Sequence, residues 1–251
     1  MEPVTFYTLG SVIVVSLISV IAAIPLLLKH RPSNRLLLIL LSLSVGTLLG
    51  GVFIHFLPEM AAEGYTLTSG LVVLAGFFVF FLLEQFVHSH VHCHPDDHHC
   101  EHKHLAPINL AGDGIHNFID GLIIAGSYTA SIPLGIAATI SVIFHEIPQE
   151  IADFGVLLYA GLSKKKALTY NLASALSALG GAAIGLSLAQ AHAFADAIVP
   201  FAAGNFIYIA AANLVPELHG HSKWQDTVVH VISIALGIGV MVLLAVYAPE
   251  P

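Results

Sequence analysis

Apolar segments of membrane-crossing length follow one another along this chain with only short polar breaks between them. A helix needs about 20 predominantly apolar residues to cross the hydrocarbon core of a bilayer. Backbone hydrogen bonds in lipid must be satisfied within each element, and continuous apolar segments, unlike the alternating pattern of a β-barrel, favour helices. The sequence therefore predicts an all-α membrane protein.

Composition agrees with this prediction, because 57% of the residues are hydrophobic and only 10% are charged, against roughly 25% charged in a typical soluble domain. The formal net charge of −8 identifies no partner, since several acidic residues lie inside apolar segments, and we expect no nucleic-acid binding. The first apolar segment is too long for the core of a signal peptide. We expect one integral membrane domain over residues 1–251, embedded in the lipid bilayer.

Charge placement predicts the topology of eight membrane spans. The predicted spans cover residues 5–28, 36–57, 67–87, 107–127, 132–160, 167–190, 195–215 and 225–247. All eight lysines and arginines lie in the loops that follow the first, third, fifth and seventh spans. By the positive-inside rule, both termini face outside, and we expect the protein in a cell (inner or plasma) membrane.

A short internal repeat is present at the ends of two spans. Phe-Leu-Pro-Glu-Met at 56–60 closes the second span, and Leu-Val-Pro-Glu-Leu at 214–218 closes the seventh. The predicted topology orients these spans in opposite directions, which is typical of transporters built from inverted repeats. We predict that spans one to three and six to eight form such repeats on either side of spans four and five. The alternative is that both Pro-Glu pairs are ordinary helix ends.

Two polar clusters interrupt the fourth and fifth spans. The first is His-Asn-Phe-Ile-Asp-Gly at 116–121, and the second is His-Glu-Ile-Pro-Gln-Glu at 145–150. Residues four apart share one face of a helix. This spacing pairs His116 with Asp120, His145 with Gln149, and Glu146 with Glu150. Pro148 lacks an amide hydrogen and leaves the carbonyl of Phe144 without its helical donor, so we expect a kink there.

The clusters lie near the middle of the membrane, where each ionisable side chain costs at least ~2.5 kcal/mol. Hydrogen bonds between helices are one explanation. A divalent cation explains several neighbouring carboxylates better, because it compensates them together. Imidazole suits Zn²⁺ and Fe²⁺, and carboxylate and amide oxygens suit harder ions, so the mixture favours a borderline transition metal.

The paired clusters resemble the signatures of the ZIP (Zrt/Irt-like) divalent metal transporters, HNFxDG in the fourth helix and HExPHE in the fifth. The resemblance implies an eight-helix bundle in which spans one, four, five and six move as a unit. It also implies ligands from both clusters, to which we add Glu150. The complete candidate set is His116, Asn117, Asp120, His145, Glu146, Gln149 and Glu150.

Two departures from the family pattern affect these expectations. Relatives with HExPHE have a second histidine where this chain has Gln149, and an amide oxygen is a weaker, harder ligand. Some relatives complete a second metal site with a glutamate of the sixth helix. Residues 174–181 contain no acid, so we expect one well-formed site and at most a poor second one.

The resemblance implies transport of Zn²⁺, or a related ion such as Fe²⁺, Mn²⁺ or Cd²⁺, towards the cytoplasm by alternating access, with the metal as cargo and no cofactor. An intramembrane zinc metallohydrolase is the alternative, since His145-Glu146 begins like the HExxH motif, although Gln149 occupies the position of its second histidine. A metal sensor without transport is a third. The sequence leaves the oligomeric state open, a homodimer included.

Polar residues outside the clusters allow further predictions. Residues 88–106 form a His-rich loop with Cys93 and Cys100, which we expect to be cytoplasmic, reduced and able to bind cations. Asp113 and Asp153 are candidates for a release path or for simple helix capping. His55 with Glu59 is a candidate outer site or a helix-end pair. Asn205 and Asn213 are expected to join helices by hydrogen bonds.

Overall fold

The computed structural model describes residues 2–28, 33–91, 105–219 and 224–247. Over these residues the chain is helical and contains no β-strand. Eight long helices follow one another: α1, Glu2–Leu27; α2, residues 34–62; α3, Leu67–Val91; α4, Leu105–Ala130; α5, Ile132–Tyr159; α6, Lys164–Leu188; α7, residues 192–219; and α8, Trp224–Tyr247. The predicted all-α membrane fold is confirmed.

Within the described residues, seven of these helices are long and apolar enough to cross a membrane. The eighth, α4, is equally long but carries the first polar cluster, which lowers its apolar character. Its place in the bundle is central, since it packs against α1, α3, α5, α6 and α7. The polar cluster of α4 is therefore enclosed by other helices and does not face lipid.

Helices α2 and α7 share an irregularity that the sequence analysis did not predict. Each contains one π-helical segment, Gly51–Phe56 in α2 and Ile209–Leu214 in α7, and continues as α-helix for at least one further turn. Pro58 and Pro216 stand at the second position of these last turns, where a missing amide hydrogen is tolerated. Both helices consequently extend beyond the predicted ends at 57 and 215.

The His-rich loop is shorter than predicted over 88–106. Helix α3 continues to Val91 and α4 begins at Leu105, because helical hydrogen bonding extends into the polar residues that flank the apolar segments. The rest of this loop, including Cys93 and Cys100, lies outside the described residues.

Packing is equivalent on the two sides of the bundle. Helix α2 packs on α8 as α7 packs on α3, and α5 packs on α1 as α4 packs on α6. Gly46 meets Gly237 at the first crossing, and Gly204 meets the backbone of α3 near Gly76 at the second. Gly46 and Gly204 each lie five residues before the π-helical segment of their helix. This equivalence supports the inverted repeat.

Candidate metal centre

Four buried side chains of α4 and α5 converge on one point. His116 and Asp120 come from α4, and His145 and Glu146 from α5, and one ligand atom of each lies within 4.8 Å of the others. His145 Nε2 is 3.2 Å from His116 Nε2 and 3.1 Å from Asp120 Oδ2. Glu146 Oε1 is 3.3 Å from His116 Nε2. We call these four residues the imidazole group.

The imidazole group is enclosed by protein. Asp120 and Glu146 are fully buried, and His145 and His116 are 1% and 7% exposed. The Nδ1 atom of His145 is 3.0 Å from the carbonyl oxygen of Ser141. Because a carbonyl can only accept, Nδ1 carries the hydrogen, and Nε2 presents a lone pair to the other members of the group.

Several oxygens around this point lack hydrogen-bond partners. Both carboxylate oxygens of Glu146, Oδ1 of Asp120 and Oδ1 of Asn117 are buried and accept no hydrogen bond within the described part of the chain. A buried polar atom without a partner costs about 1–3 kcal/mol, and more when it is charged. A bound cation would compensate these oxygens together.

A second set of carboxylates adjoins the first. Asp113, Glu146 and Glu150 also place one oxygen each within 4.8 Å of the others, and all three are buried. We call them the carboxylate group. Glu146 belongs to both groups, so the two positions are neighbours with a shared ligand.

Amide and hydroxyl donors hold the carboxylate group in place. Asn117 Nδ2 donates to Asp113 Oδ1 over 2.8 Å, and the hydroxyl of Ser174 donates to the other oxygen of Asp113. Asn171 Nδ2 donates to Glu150 Oε2. Asn171 and Ser174 lie three residues apart on the buried face of α6, so α6 supplies neutral donors to this group.

Comparison with known protein families identifies the fold around these groups. The family described as "ZIP Zinc transporter" matches residues 3–107 and 93–245, which together cover nearly the whole chain. The chain belongs to the ZIP zinc transporter family. The predicted membership is thereby confirmed, and this family is one of transporters and not of enzymes.

Individual ZIP relatives match over different lengths. Zinc transporter zipt-7.2 of Caenorhabditis elegans is 46% identical over 150 residues, which are 58% of this chain and 32% of the relative. Zinc transporter zipt-7.1 of Caenorhabditis briggsae is 30% identical over 86% of this chain and 73% of its own. Zinc transporter SLC39A7 of Rattus norvegicus is 29% identical over 95% and 72%. The chain thus spans about a third of the first relative and nearly three quarters of the other two.

The ZIP signature residues differ in where their side chains lie. His116, Asp120, His145 and Glu146 meet in the imidazole group, and Glu150 lies in the carboxylate group. Asn117 adjoins both, since its amide nitrogen binds Asp113 while its oxygen has no hydrogen-bond partner. The amide of Gln149 interacts with Asp113, next to the carboxylate group.

Asn171 and Ser174 were not among the predicted site residues. The sequence analysis searched residues 174–181 of the sixth span for an acid and expected a poor second site in its absence. In the structure, three acids of α4 and α5 form the carboxylate group, and α6 contributes hydrogen bonds and no acid. The polar residues Asn171 and Ser174, three apart in an otherwise small and apolar helix, were the available signal.

Other predicted polar residues have different roles. His55 Nε2 is 3.0 Å from the carbonyl oxygen of Met241 and so joins α2 to α8. Asn205 is fully buried, but neither atom of its amide has a hydrogen-bond partner among the described residues, so the predicted interhelical bond is wrong. Asn213 is exposed. Its side chain therefore does not join buried helices.

Proposed function

We propose that this ZIP family member transports Zn²⁺, or a related ion such as Fe²⁺, Mn²⁺ or Cd²⁺, across a cell membrane towards the cytoplasm. The observation that carries the proposal is the fully enclosed imidazole group, two histidines and two carboxylates within 4.8 Å, in a bundle of membrane-length helices. Such a set in a low-dielectric interior needs a compensating cation. The curated relatives are named zinc transporters.

The ligand chemistry supports a divalent transition metal as cargo. His116 and His145 offer imidazole nitrogens, and Asp120, Glu146 and Asn117 offer oxygens, a mixture that suits Zn²⁺ and its neighbours. Because no thiolate takes part among the described residues, the site is of the kind that holds an ion moderately and releases it.

The carboxylate group supports a path through the protein. Glu146 can hold an ion in the imidazole group and then share it with Asp113 and Glu150. Oxygen ligands alone bind Zn²⁺ less strongly than imidazole does. Along α4, Asp113 precedes His116, and along α5, Glu150 follows Glu146, so both displace the second position towards the same side of the membrane. With both termini outside, that side is the cytoplasm.

The bundle provides the means for alternating access. Pairs α2 with α8 and α3 with α7 surround the two ligand helices, while α1 and α6 pack on those helices themselves. Lys164 Nζ donates to the carbonyl oxygen of Leu26 over 3.1 Å, and Ser16 Oγ donates to that of Ala175 over 3.0 Å, so α1 and α6 are tied together. These contacts support movement of α1, α4, α5 and α6 as one unit. Each chain carries a complete ligand set, so the mechanism works in a monomer or a homodimer.

The experiment is uptake of radioactive zinc into proteoliposomes that contain the full chain. We expect saturable uptake by the parent protein, and its loss in His116→Ala and His145→Ala. His230→Ala is the matched control, because His230 is also buried and hydrogen-bonded, 2.9 Å from Ser42 Oγ, but lies on α8 away from both groups. Undiminished uptake by the first two variants would show that the assigned ligands are wrong.

The metallohydrolase alternative has no support from this geometry. A general-base glutamate in HExxH sites acts beside two histidines of one helix, whereas here the two histidines come from different helices and Gln149 interacts with Asp113. Purified protein that cleaved peptides and moved no zinc would favour the hydrolase.

A further inference from the structure

Aromatic side chains of two other helices stand against the two imidazoles. Phe80 of α3 meets His116 edge to face, with ring centroids 5.2 Å apart and an interplanar angle of 77°. Phe206 of α7 meets His145 at 6.2 Å and 64°. Each histidine of the imidazole group therefore has its own aromatic neighbour, and neither neighbour lies on a ligand helix.

A third ring supports this arrangement from α2. Phe56 packs edge to face on Phe206, with centroids 5.6 Å apart. Phe56 and Phe206 are fully buried, and Phe80 is 3% exposed. We call these three side chains the aromatic wall. The wall covers the side of the imidazole group that faces α2, α3 and α7.

The wall has two physical consequences for an ion in the imidazole group. Its rings offer no oxygen or nitrogen and leave no gap for water, so on this side an ion cannot keep its hydration shell. Its edge-to-face contacts also restrict the rotation of both imidazoles, which fixes the direction of their nitrogen lone pairs. Ligand geometry and ion access are then both set partly by residues that bind no metal.

The wall is mounted on the rigid part of the bundle. Helix α7 crosses α3 at Gly204, where a Cβ atom would overlap the carbonyl of Val73, and α2 crosses α8 at Gly46, where it would overlap that of Ile234. Close backbone approach of this kind leaves little freedom for sliding within each pair. The ligand helices α4 and α5 would therefore move past the wall, carrying the ion with them.

We propose that Phe80 and Phe206 are positioning and barrier residues of the transport reaction. They hold the imidazoles of His116 and His145 in the geometry that binds the metal, and they close the space through which an unbound ion would otherwise leak. This inference rests on the proposed transport function. It assigns to α3 and α7 a role in selecting bound over free ions.

The test combines Co²⁺ binding in detergent with zinc uptake into proteoliposomes, for the full chain and for Phe80→Ala and Phe206→Ala. The visible absorption of bound Co²⁺ reports its coordination geometry. We expect each variant to bind Co²⁺ roughly two- to tenfold more weakly and to shift the Co²⁺ spectrum. Zinc uptake should gain a component that rises in proportion to concentration and does not saturate.

Two kinds of control separate this role from packing alone. Phe78→Ala removes a ring from the same helix α3 at a position that is 54% exposed, and it should change neither the spectrum nor saturability. Phe80→Leu and Phe206→Leu refill most of the volume without an aromatic ring. They should restore saturable uptake while keeping a shifted Co²⁺ spectrum, and they decide the question if the alanine variants do not fold.

The proposal is wrong if the phenylalanine variants bind Co²⁺ with the parental affinity and spectrum, and if their uptake stays saturable with only a lower maximum. A different failure would overturn the transport function itself. If the parent protein gave no saturable uptake, transport would be refuted, while the Co²⁺ spectra would still test whether the wall positions the histidines.

Discussion

The hydroxyl of Ser44 on α2 donates a hydrogen bond of 2.5 Å to the carbonyl oxygen of Phe144 on α5. This is the carbonyl that Pro148 leaves without a helical donor, because proline has no amide hydrogen. Three residues further along α2, the carbonyl of Thr47 accepts a bond of 3.1 Å from the hydroxyl of Ser141. The helix that carries His145 and Glu146 is thus joined to α2 by hydroxyl-to-carbonyl bonds in both directions.

We predict that Ser44→Ala destabilises the protein through the orphaned carbonyl of Phe144, by about 1–3 kcal/mol. In a Pro148→Ala background the residue at 148 again supplies an amide, so the same substitution should cost clearly less. Thermal unfolding of the four proteins in one detergent measures this coupling. Ser187→Ala, which removes an exposed hydroxyl bonded only within α8's counterpart α6, is the control. Equal losses in both backgrounds would contradict the explanation.

Gly204 and Gly46 should be equally intolerant of a methyl group. A Cβ at either position would overlap a backbone carbonyl, which cannot move aside as a flexible side chain can. We predict a loss of about 1–3 kcal/mol for Gly204→Ala and for Gly46→Ala. Gly239 lies in α8 with nothing within 4 Å of its Cβ position, so Gly239→Ala should stabilise that helix by up to about 1 kcal/mol. Thermal unfolding compares all three, and a difference in sign between Gly46 and Gly204 would speak against equivalent crossings.

The number and rough limits of the helices were predictable, because apolar length and charge placement are local properties of the sequence. The meeting of His116 with Asp120 followed from helical spacing. The π-helical segments of α2 and α7 were not predictable, since nothing in Gly51–Phe56 or Ile209–Leu214 distinguishes one extra residue per turn.

Contacts between helices were the other part that sequence could not supply. Which faces of α6 and α7 meet the ligand helices depends on crossing angles and register, which are set by packing of the whole bundle. Asn171 and Ser174 were therefore missed, and Asn205 was assigned an interhelical bond that the structure does not show. Phe80 and Phe206 could not be told from lipid-facing phenylalanines for the same reason.

Glu146 should matter for both metal positions and Glu150 for one. Because Glu146 lies in the imidazole group and in the carboxylate group, we predict that Glu146→Gln weakens binding at both. Glu150→Gln should weaken only the carboxylate group and leave the imidazole group able to bind. Calorimetric titration with Zn²⁺ and Mn²⁺ separates these cases, with Asp226→Asn, at the start of α8, as a control for charge alone. If Glu150→Gln abolished all binding, the two groups would not be independent positions.

Gln149 is the position at which this chain departs from the HExPHE signature, and its environment indicates what the departure does. Its amide interacts with Asp113, in the carboxylate group. We predict that Gln149→His adds an imidazole beside oxygen ligands and raises the preference of that group for Zn²⁺ over Mn²⁺, since imidazole favours the softer ion. Competition between the two metals during uptake and at equilibrium measures the ratio.

A matched variant separates ligand chemistry from a change of shape in that experiment. Gln149→Glu keeps the length of the side chain and adds an oxygen ligand, so it should move the preference towards Mn²⁺, opposite to Gln149→His. If both variants left the ratio unchanged, the amide of Gln149 would serve only to hold Asp113. Selectivity would then depend on His116, His145 and the aromatic wall, whose geometry the Co²⁺ spectrum reports.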